Sequence, residues 1–165
     1  MSLRVSRENN TFVVEVASEA ETRMLGMTLA ALIYPGTVIG LVGPLGAGKT
    51  LLSRSIAEAL GVDPGAIASP TFVLIHEYEG RIPVYHFDTY RLTSPEAFDD
   101  LGADEYFDGN GVCLVEWADR VRDRLPENAW WITIGTLDAN ARSIALALPE
   151  SARAPFDKAL AMIAG

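Results

Sequence analysis

The segment GLVGPLGAGKTLLSRSIAEAL, residues 40–60, constrains the fold of this chain more than any other segment. It starts within an apolar run, GTVIGLVG, of the kind that forms a strand buried on both faces of a parallel sheet. It then passes through glycines into a sequence that predicts a helix from residue 49 to about residue 60. A buried strand, a glycine loop and a helix in this order are typical of α/β proteins.

The glycine loop matches the pattern G-x-x-x-x-G-K-[ST] without a mismatch, at Gly43, Gly48, Lys49 and Thr50. Backbone N–H groups can wrap a phosphate chain where φ is positive and no Cβ obstructs, which explains Gly43, Gly46 and Gly48. The following helix adds partial positive charge at its N-terminus. The Lys49 ammonium can contact β- and γ-phosphates, and the Thr50 hydroxyl can bind Mg²⁺. The loop therefore predicts a nucleotide site, with contacts from Gly43, Leu45, Gly46, Ala47, Gly48, Lys49, Thr50 and Leu51.

Apolar periodicity and turn residues predict the remaining elements. We expect a strand at Thr11–Val16, then a helix over residues 19–32 with Ser18 as its N-cap and Glu21 at the capping-box position. The later elements are a hairpin turning near 79–81, a short helix near 94–101, a strand at 111–117, a short helix stopped by Pro126, a second hairpin turning at 138–140 and an amphipathic helix over 154–165. Together they predict one domain over residues 1–165, with the three-layer P-loop NTPase fold, a mixed central sheet and antiparallel hairpins.

The nucleotide and its metal require further groups. The sequence contains no N-K-x-D motif, the usual guanine-recognition signal, so ATP is the default nucleotide. Mg²⁺ and the attacking group need carboxylates at strand ends near the loop, and the apolar runs ending in Glu116 and Asp88 both qualify. An ordinary cap or ion-pair role is a stronger alternative for Asp88 than for Glu116, whose strand is expected to be central. Thr71 occupies the place of the γ-phosphate-sensing threonine of GTPases, and a capping role explains it equally well.

Several other side chains have structural explanations. His76 and His86 alternate along predicted strands with apolar neighbours, which favours satisfied structural histidines over ligands. We also expect a solvated helix face at Arg120, Arg122 and Arg124, and core positions for Cys113, Trp130 and Trp131.

Composition excludes some classes of function. The net charge of −9 and the pI of about 4.6 argue against direct nucleic-acid binding, which depends on Lys and Arg. Residues 96–119 carry eight acidic side chains and no basic one, which predicts a solvated acidic face or a docking surface for a basic protein. The uncharged stretch 24–48 is long enough for a membrane span, but Pro35 and Gly36 divide it into a helix and a strand. A single cysteine and the lack of a signal-peptide pattern predict a cytoplasmic protein that does not bind membranes.

Five segments in combination resemble the TsaE family (older name YjeE), which consists of small bacterial P-loop ATPases required for threonylcarbamoyladenosine formation in tRNA. The segments are GPLGAGKT (43–50), SPTF (69–72), HFDTYRL (86–92), GADEYF (102–107) and VEW (115–117). The glycine loop is generic, whereas SPTF, HxDxYRL and VEW together are specific to this family.

The resemblance implies roles for individual residues. Lys49 and Thr50 would hold phosphate and Mg²⁺, and Glu116 would help to position the ion. Asp88 would act in hydrolysis, and Thr71 would belong to a switch-like loop. The resemblance also places Trp117 close to the nucleotide and makes Glu105 and Tyr106 candidates for partner contact or for ordering the site.

The resemblance further implies a partner, the TsaB–TsaD pair, which transfers the threonylcarbamoyl group to adenosine 37 of tRNA. Two alternatives stay open. The first is a small-molecule or nucleoside kinase, in which HFDTYRL binds the acceptor while Arg120 and Arg124 act as lid residues. The second is a scaffold whose ATP or ADP state sets its affinity for a partner, with incidental hydrolysis.

Overall fold

The computed structural model of the protein describes residues 3–67 and 74–164. The strands are β1 (Arg4–Glu8), β2 (Thr11–Val16), β3 (Val38–Val42), β4 (Ile75–Tyr78), β5 (Val84–Asp88), β6 (Val112–Glu116), β7 (Trp130–Thr136) and β8 (Arg142–Ala147). The α-helices are α1 (Glu19–Ala30), α2 (Lys49–Ala59), α3 (Pro95–Asp99), α4 (Ala103–Phe107) and α5 (Glu150–Ala164), with 3₁₀ helices at Pro64–Ala66 and Ala118–Arg124.

These strands form an eight-stranded sheet in the order β1-β2-β8-β7-β3-β6-β5-β4. The four strands β7, β3, β6 and β5 run parallel to one another. The strands outside them pair antiparallel, through the hairpins β1–β2, β7–β8 and β4–β5 and the pair β2–β8. The predicted mixed sheet with antiparallel hairpins is confirmed, and the apolar runs of β3 and β6 occupy its centre.

Helices cover both faces of the sheet, which gives the predicted three layers. On one face α1, α2 and α5 pack on the strands, and Phe156 and Trp130 are fully buried there. On the other face α3, α4 and the longer 3₁₀ helix enclose a second cluster around Phe98. Alternation along β6 divides its residues between the faces, because Leu114 belongs to the first cluster and Cys113 to the second. The core position predicted for Cys113 is therefore confirmed.

The N-terminus of α1 is capped as predicted. The Ser18 hydroxyl accepts a hydrogen bond from the Glu21 N–H at 3.2 Å. The Glu21 carboxylate accepts from the Ala17 N–H at 2.6 Å, so the return bond of the capping box reaches one residue before the cap. The helix ends at Ala30 rather than at residue 32. These bonds fix the segment that leads from β2 into α1.

Three elements differ from the sequence prediction. Apolar patterning does not predict β1, because all five of its residues are exposed. It also does not predict α4, a second short helix that begins after Gly102 at a φ of 76°. The C-terminal helix begins at Glu150 rather than at residue 154, since Ala152 and Phe156, on either side of Pro155, are both buried in the core.

The uncharged stretch 24–48 divides as predicted, into the end of α1, a turn at Gly36 with a φ of 94°, and β3. Within the described part of the chain, no helix is both long enough and apolar enough to span a membrane.

Candidate functional site

The predicted site residues that the structure describes converge at the carboxyl ends of the central parallel strands. The loop 43–48 connects β3 to α2, whose first residues are Lys49 and Thr50. Strand β6 lies beside β3 and ends at Glu116. Strand β5 lies beside β6 and ends at Asp88, directly opposite Glu116. The loop and two carboxylates therefore share one edge of the sheet, the edge at which open α/β sheets bind ligands.

The loop glycines are required for two different reasons. Gly46 and Gly48 have φ angles of 78° and 114°, in the region that favours glycine. A Cβ added to Gly43 would lie 2.5 Å from the carbonyl oxygen of Ile134 in β7. Contact with the neighbouring strand therefore requires glycine at position 43, a reason that the sequence motif does not reveal.

Lys49 folds back onto the loop that precedes it. Its ammonium donates hydrogen bonds to the carbonyl oxygens of Gly43 at 2.6 Å and Pro44 at 2.9 Å. It also lies 3.9 Å from the centre of the Trp117 ring. Burial lowers the pKa of Lys49, and nearby carboxylates, Glu116 first, oppose that shift. The ammonium is a desolvated charge beside the loop, where a phosphate is a stronger hydrogen-bond acceptor than a neutral carbonyl.

Hydrogen bonds hold the Glu116 carboxylate in place. Thr50 Oγ1 donates to one carboxylate oxygen at 2.8 Å, and His86 Nε2 contacts the other. Thr89 Oγ1 donates to the Glu116 backbone carbonyl at 2.9 Å. Glu116 as a whole is 2% exposed. A hydroxyl and a carboxylate oxygen side by side are the hard ligands that Mg²⁺ prefers, so Thr50 and Glu116 fit this ion.

The site has few protein ligands for a metal. Among residues 3–67 and 74–164, no group of three or more His, Cys, Asp or Glu side chains could hold a metal ion. Mg²⁺ in nucleotide sites is typically bound through one or two protein groups together with substrate phosphates and water. The pair of Thr50 and Glu116 is of this kind.

The two histidines have different environments. His86 is a satisfied histidine, as predicted, but its partner is a site carboxylate rather than a structural group. His86 and Asp88 are two positions apart in β5, so their side chains lie on the same face of the sheet. This spacing in the sequence could have linked His86 to the site. His76 pairs with His86 across β4 and β5 and stacks on Tyr78 at 5.9 Å between ring centroids. Its buried Nε2 has no hydrogen-bond partner within the described residues, so the prediction of a satisfied histidine is wrong for His76.

An aromatic wall, formed by Trp117 and Tyr90, borders the Lys49 ammonium. Trp117 has φ and ψ of 58° and 38°, and its ring centroid lies 4.8 Å from that of Tyr90. The Arg120 guanidinium lies 5.3 Å from the Tyr90 ring and 5.9 Å from the Trp117 ring. Arg120 is exposed, as predicted for a solvated face, yet it stacks at the rim of the site. Asp88 accepts a hydrogen bond from the Tyr90 N–H at 2.9 Å, which is the i to i+2 contact of an Asx turn rather than a helix cap.

Two cavities flank the loop. The first, of about 290 Å³, is lined by Leu45, Gly46, Gly48, Lys49, Thr50, Asp88, Tyr90, Glu116 and Trp117. The second, of about 380 Å³, lies between the start of α1, the loop and the β7–β8 turn, and is lined by Ala17, Ser18, Glu19, Thr22, Gly46, Ala47, Gly48, Leu51, Ala139, Asn140 and Arg142. Both cavities contact Gly46 and Gly48, so a ligand whose phosphates follow the loop can extend from one cavity into the other.

The structure does not describe one predicted site residue, and it directs two of the arginines away from the loop. Thr71 and the rest of SPTF lie outside the described residues. Arg122 stacks on Trp131 at 4.2 Å, and Arg124 pairs with Asp99 at 3.3 Å, so neither guanidinium is directed to the loop. Trp131 is half-buried rather than a full core residue.

The geometry defines the class of protein. A glycine loop joins a central parallel strand to a helix N-terminus and ends in Lys49 and Thr50, with the Glu116 carboxylate on the adjacent strand. This is a P-loop nucleotide-binding protein. Residues 16–144 match the sequence model of the family described as "Threonylcarbamoyl adenosine biosynthesis protein TsaE". The chain belongs to the TsaE family.

Individual relatives agree with this assignment. A Bacillus subtilis (strain 168) protein named "tRNA threonylcarbamoyladenosine biosynthesis protein TsaE" is 44% identical over 125 residues, which are 75% of this chain and 77% of that protein. A protein of the same name from Treponema pallidum (strain Nichols) is 42% identical over 130 residues, 79% of this chain and 96% of that one. The solved structure titled "Crystal structure of Bacillus subtilus YdiB" superposes with a TM-score of 0.74 at 33% identity, over 96% of this chain and 97% of that chain.

Proposed function

We propose that the protein binds ATP with Mg²⁺ and hydrolyses it as a step in the threonylcarbamoyladenosine modification of adenosine 37 in tRNA. The observation that carries the proposal is the meeting of the loop 43–48, Lys49, Thr50 and Glu116 around one cavity. The names of the relatives support the pathway. P-loop chemistry supports the reaction, because phosphoryl transfer depends mainly on positioning and charge stabilisation.

Each group that lines the first cavity has a task in this proposal. Loop N–H groups and the α2 N-terminus bind the phosphates, and the Lys49 ammonium exchanges its carbonyl partners for phosphate oxygens. Thr50 and Glu116 hold Mg²⁺, which when bound neutralises charge on the β- and γ-phosphate oxygens. Asp88 orients the attacking water. Thr71, which lies outside the described residues, senses the γ-phosphate. The neighbouring rings of Trp117 and Tyr90 exclude water from the ammonium.

The second cavity supports a nucleotide, rather than inorganic phosphate, as the ligand. It begins at the loop, and its volume of about 380 Å³ is within the range of small-molecule sites. Leu51 follows the phosphate-binding Thr50 on α2 and contributes to this cavity. We place the ribose and base here, where Ser18 and Asn140 offer polar groups. ATP is proposed over GTP because the guanine-recognition motif is missing from the sequence.

The proposed partner is the TsaB–TsaD pair, as for the family. The net charge of −9 supports contact with a protein rather than with RNA. Of the two GADEYF residues considered for this contact, Glu105 is exposed on α4. Tyr106 instead packs on Phe87, with ring centroids 5.5 Å apart, so we assign the docking role to Glu105 and an internal role to Tyr106. Hydrolysis is expected to be slow until the partner completes the site.

Lys49→Ala tests this function, and Lys158→Ala is the matched control. Lys158 is the only other lysine of the chain and is exposed on α5. We expect both variants to fold, as measured by circular dichroism. Lys49→Ala alone should lose ATP binding, phosphate release and modification of tRNA in a reconstituted system. Each charge-assisted hydrogen bond to phosphate contributes about 1.5–3 kcal/mol, so affinity should fall at least tenfold.

Three outcomes would contradict the proposal. Undiminished hydrolysis by Lys49→Ala would remove the loop from the mechanism. Phosphate recovered on a metabolite instead of as free phosphate would indicate a kinase. Partner affinity that depends on the bound nucleotide, without turnover during tRNA modification, would indicate a scaffold.

A further inference from the structure

The middle of the glycine loop depends on a side chain from outside it. A loop that directs its N–H groups at a phosphate turns the carbonyl oxygens of its peptides away from the ligand, where a protein donor can hold them in place. Lys49 and the first turn of α2 bond the carbonyls near the two ends of the loop. The carbonyls of Gly46 and Ala47, between those ends, are bonded by the guanidinium of Arg142.

Arg142 reaches the loop from the first position of β8, 95 residues beyond Ala47. Its Nε donates to the Ala47 carbonyl at 2.9 Å, and its Nη2 lies 3.5 Å from the Gly46 carbonyl. Its Nη1 donates to the carbonyls of Asp138 and Ala141, each at 2.9 Å. The fixed fork of the guanidinium thus connects the loop with the β7–β8 turn.

The turn that carries Arg142 is itself held in place. The Asp138 carboxylate accepts hydrogen bonds from the N–H groups of Asn140 at 2.8 Å and Ala141 at 2.7 Å. These two bonds, that from Ala141 first, lower the pKa of Asp138. Arg142 is also in register with Thr136 of β7 and Val16 of β2. The guanidinium therefore starts from a backbone that is bonded on both sides.

We propose that Arg142 is a positioning residue for the nucleotide. Its guanidinium holds the glycine loop in the phosphate-binding conformation before the nucleotide arrives, and it joins that loop to the wall of the second cavity. The proposal rests on the proposed function, since it concerns the same site. It assigns to β8 a role in phosphate binding that the loop motif alone does not contain.

Preorganisation is the physical reason for this role. Glycine has more conformational freedom to lose than other residues, so a loop with glycines at 43, 46 and 48 has a large entropy of ordering. Without Arg142, this ordering would accompany nucleotide binding and weaken it. Ordering the backbone of a single residue corresponds to about tenfold in affinity. The loss should not depend on the base, because the loop contacts phosphates.

The test compares Arg142→Met and Arg142→Lys with the control Arg153→Met. Arg153 also bonds a backbone carbonyl, that of Leu148 at 3.0 Å, but it lines neither cavity. Calorimetry in the presence of Mg²⁺ measures the affinity of each variant for ATP, ADP and tripolyphosphate, and thermal unfolding monitors the fold. Tripolyphosphate is the decisive probe because it lacks a base and a ribose.

We expect Arg142→Met to bind all three probes about tenfold or more weakly. Arg142→Lys, which can donate to one carbonyl at a time, should lie between it and the wild type, and Arg153→Met should bind normally. Wild-type affinity of Arg142→Met for tripolyphosphate would overturn the proposal, and a loss confined to ATP and ADP would make Arg142 a contact of the base or ribose. If Arg142→Met does not fold, Arg142→Lys decides, and wild-type binding by this variant overturns the role of the fork. Failure of the wild type itself to bind ATP would instead refute the proposed function.

Discussion

The contact between His86 and Glu116 should orient the carboxylate that is proposed to hold Mg²⁺. His86 Nε2 contacts one carboxylate oxygen, and the two side chains are 7% and 3% exposed. Gln can place its amide nitrogen close to the position of Nε2, whereas the shorter Asn places its nitrogen closer to that of Nδ1. We therefore expect His86→Gln to preserve Mg²⁺-dependent ATP binding and His86→Asn to weaken it.

The magnitude follows from the surroundings of the carboxylate. One Glu116 oxygen accepts from Thr50 at 2.8 Å, so the loss of His86 leaves the other oxygen buried without its donor. A hydrogen bond to a charged group contributes about 1.5–3 kcal/mol. Residues that orient metal ligands typically change metal affinity by about 10–100-fold, which is about 1.4–2.8 kcal/mol. Both figures predict that His86→Asn raises the Mg²⁺ concentration for half-maximal ATP binding by about 10–100-fold.

The assay is calorimetric titration of ATP at increasing Mg²⁺ concentrations, with ATP binding in EDTA as a measure of the metal-free site. His76→Asn is the matched control, because His76 pairs with His86 across the two strands and its Nε2 has no hydrogen-bond partner in the described chain. All variants should bind alike in EDTA. The reasoning is refuted if folded His86→Asn shows the wild-type Mg²⁺ midpoint, or if His86→Gln is impaired as strongly as His86→Asn.

Two further predictions concern packing around the site. Gly43→Ala should destabilise the fold by about 1–3 kcal/mol, because its Cβ would lie 2.5 Å from the Ile134 carbonyl. Gly135→Ala should leave the stability unchanged, because its Cβ would meet nothing closer than 3.9 Å. Equal melting temperatures of the two variants would contradict this prediction. Burial raises the pKa of Cys113 to about 12, so iodoacetamide at pH 8.5 should alkylate it only after unfolding, and rapid labelling of folded protein would place the thiol at the surface.

The central part of the fold can be predicted because its elements carry local signals. β3 and β6 are continuous apolar runs, and Ser18 caps α1. The edge strand β1 carries no such signal, since all of its residues are exposed and only its pairing with β2 gives it a place. The helix boundary near Pro155 was likewise set by burial of Ala152 and Phe156 rather than by the proline.

At the site, the local sequence pattern predicts the residues that are placed to contact a nucleotide. It does not predict the residues that keep those groups in position. Lys49 and Thr50 follow the glycines directly, so spacing identifies them. The second set comes from three other strands. His86 contacts Glu116 from β5, the Ile134 carbonyl lies beside Gly43 from β7, and Arg142 donates to a loop carbonyl from β8.

The strand order decides these contacts. β7 lies beside β3 and β8 beside β7, which brings the start of β8 to the loop although 95 residues separate Arg142 from Ala47. The P-loop is thus a local sequence motif whose conformation depends on a residue far away in the sequence. A chain with an intact G-x-x-x-x-G-K-T sequence but no guanidinium at this position of β8 should retain its phosphate contacts and lose the preorganisation that makes them strong.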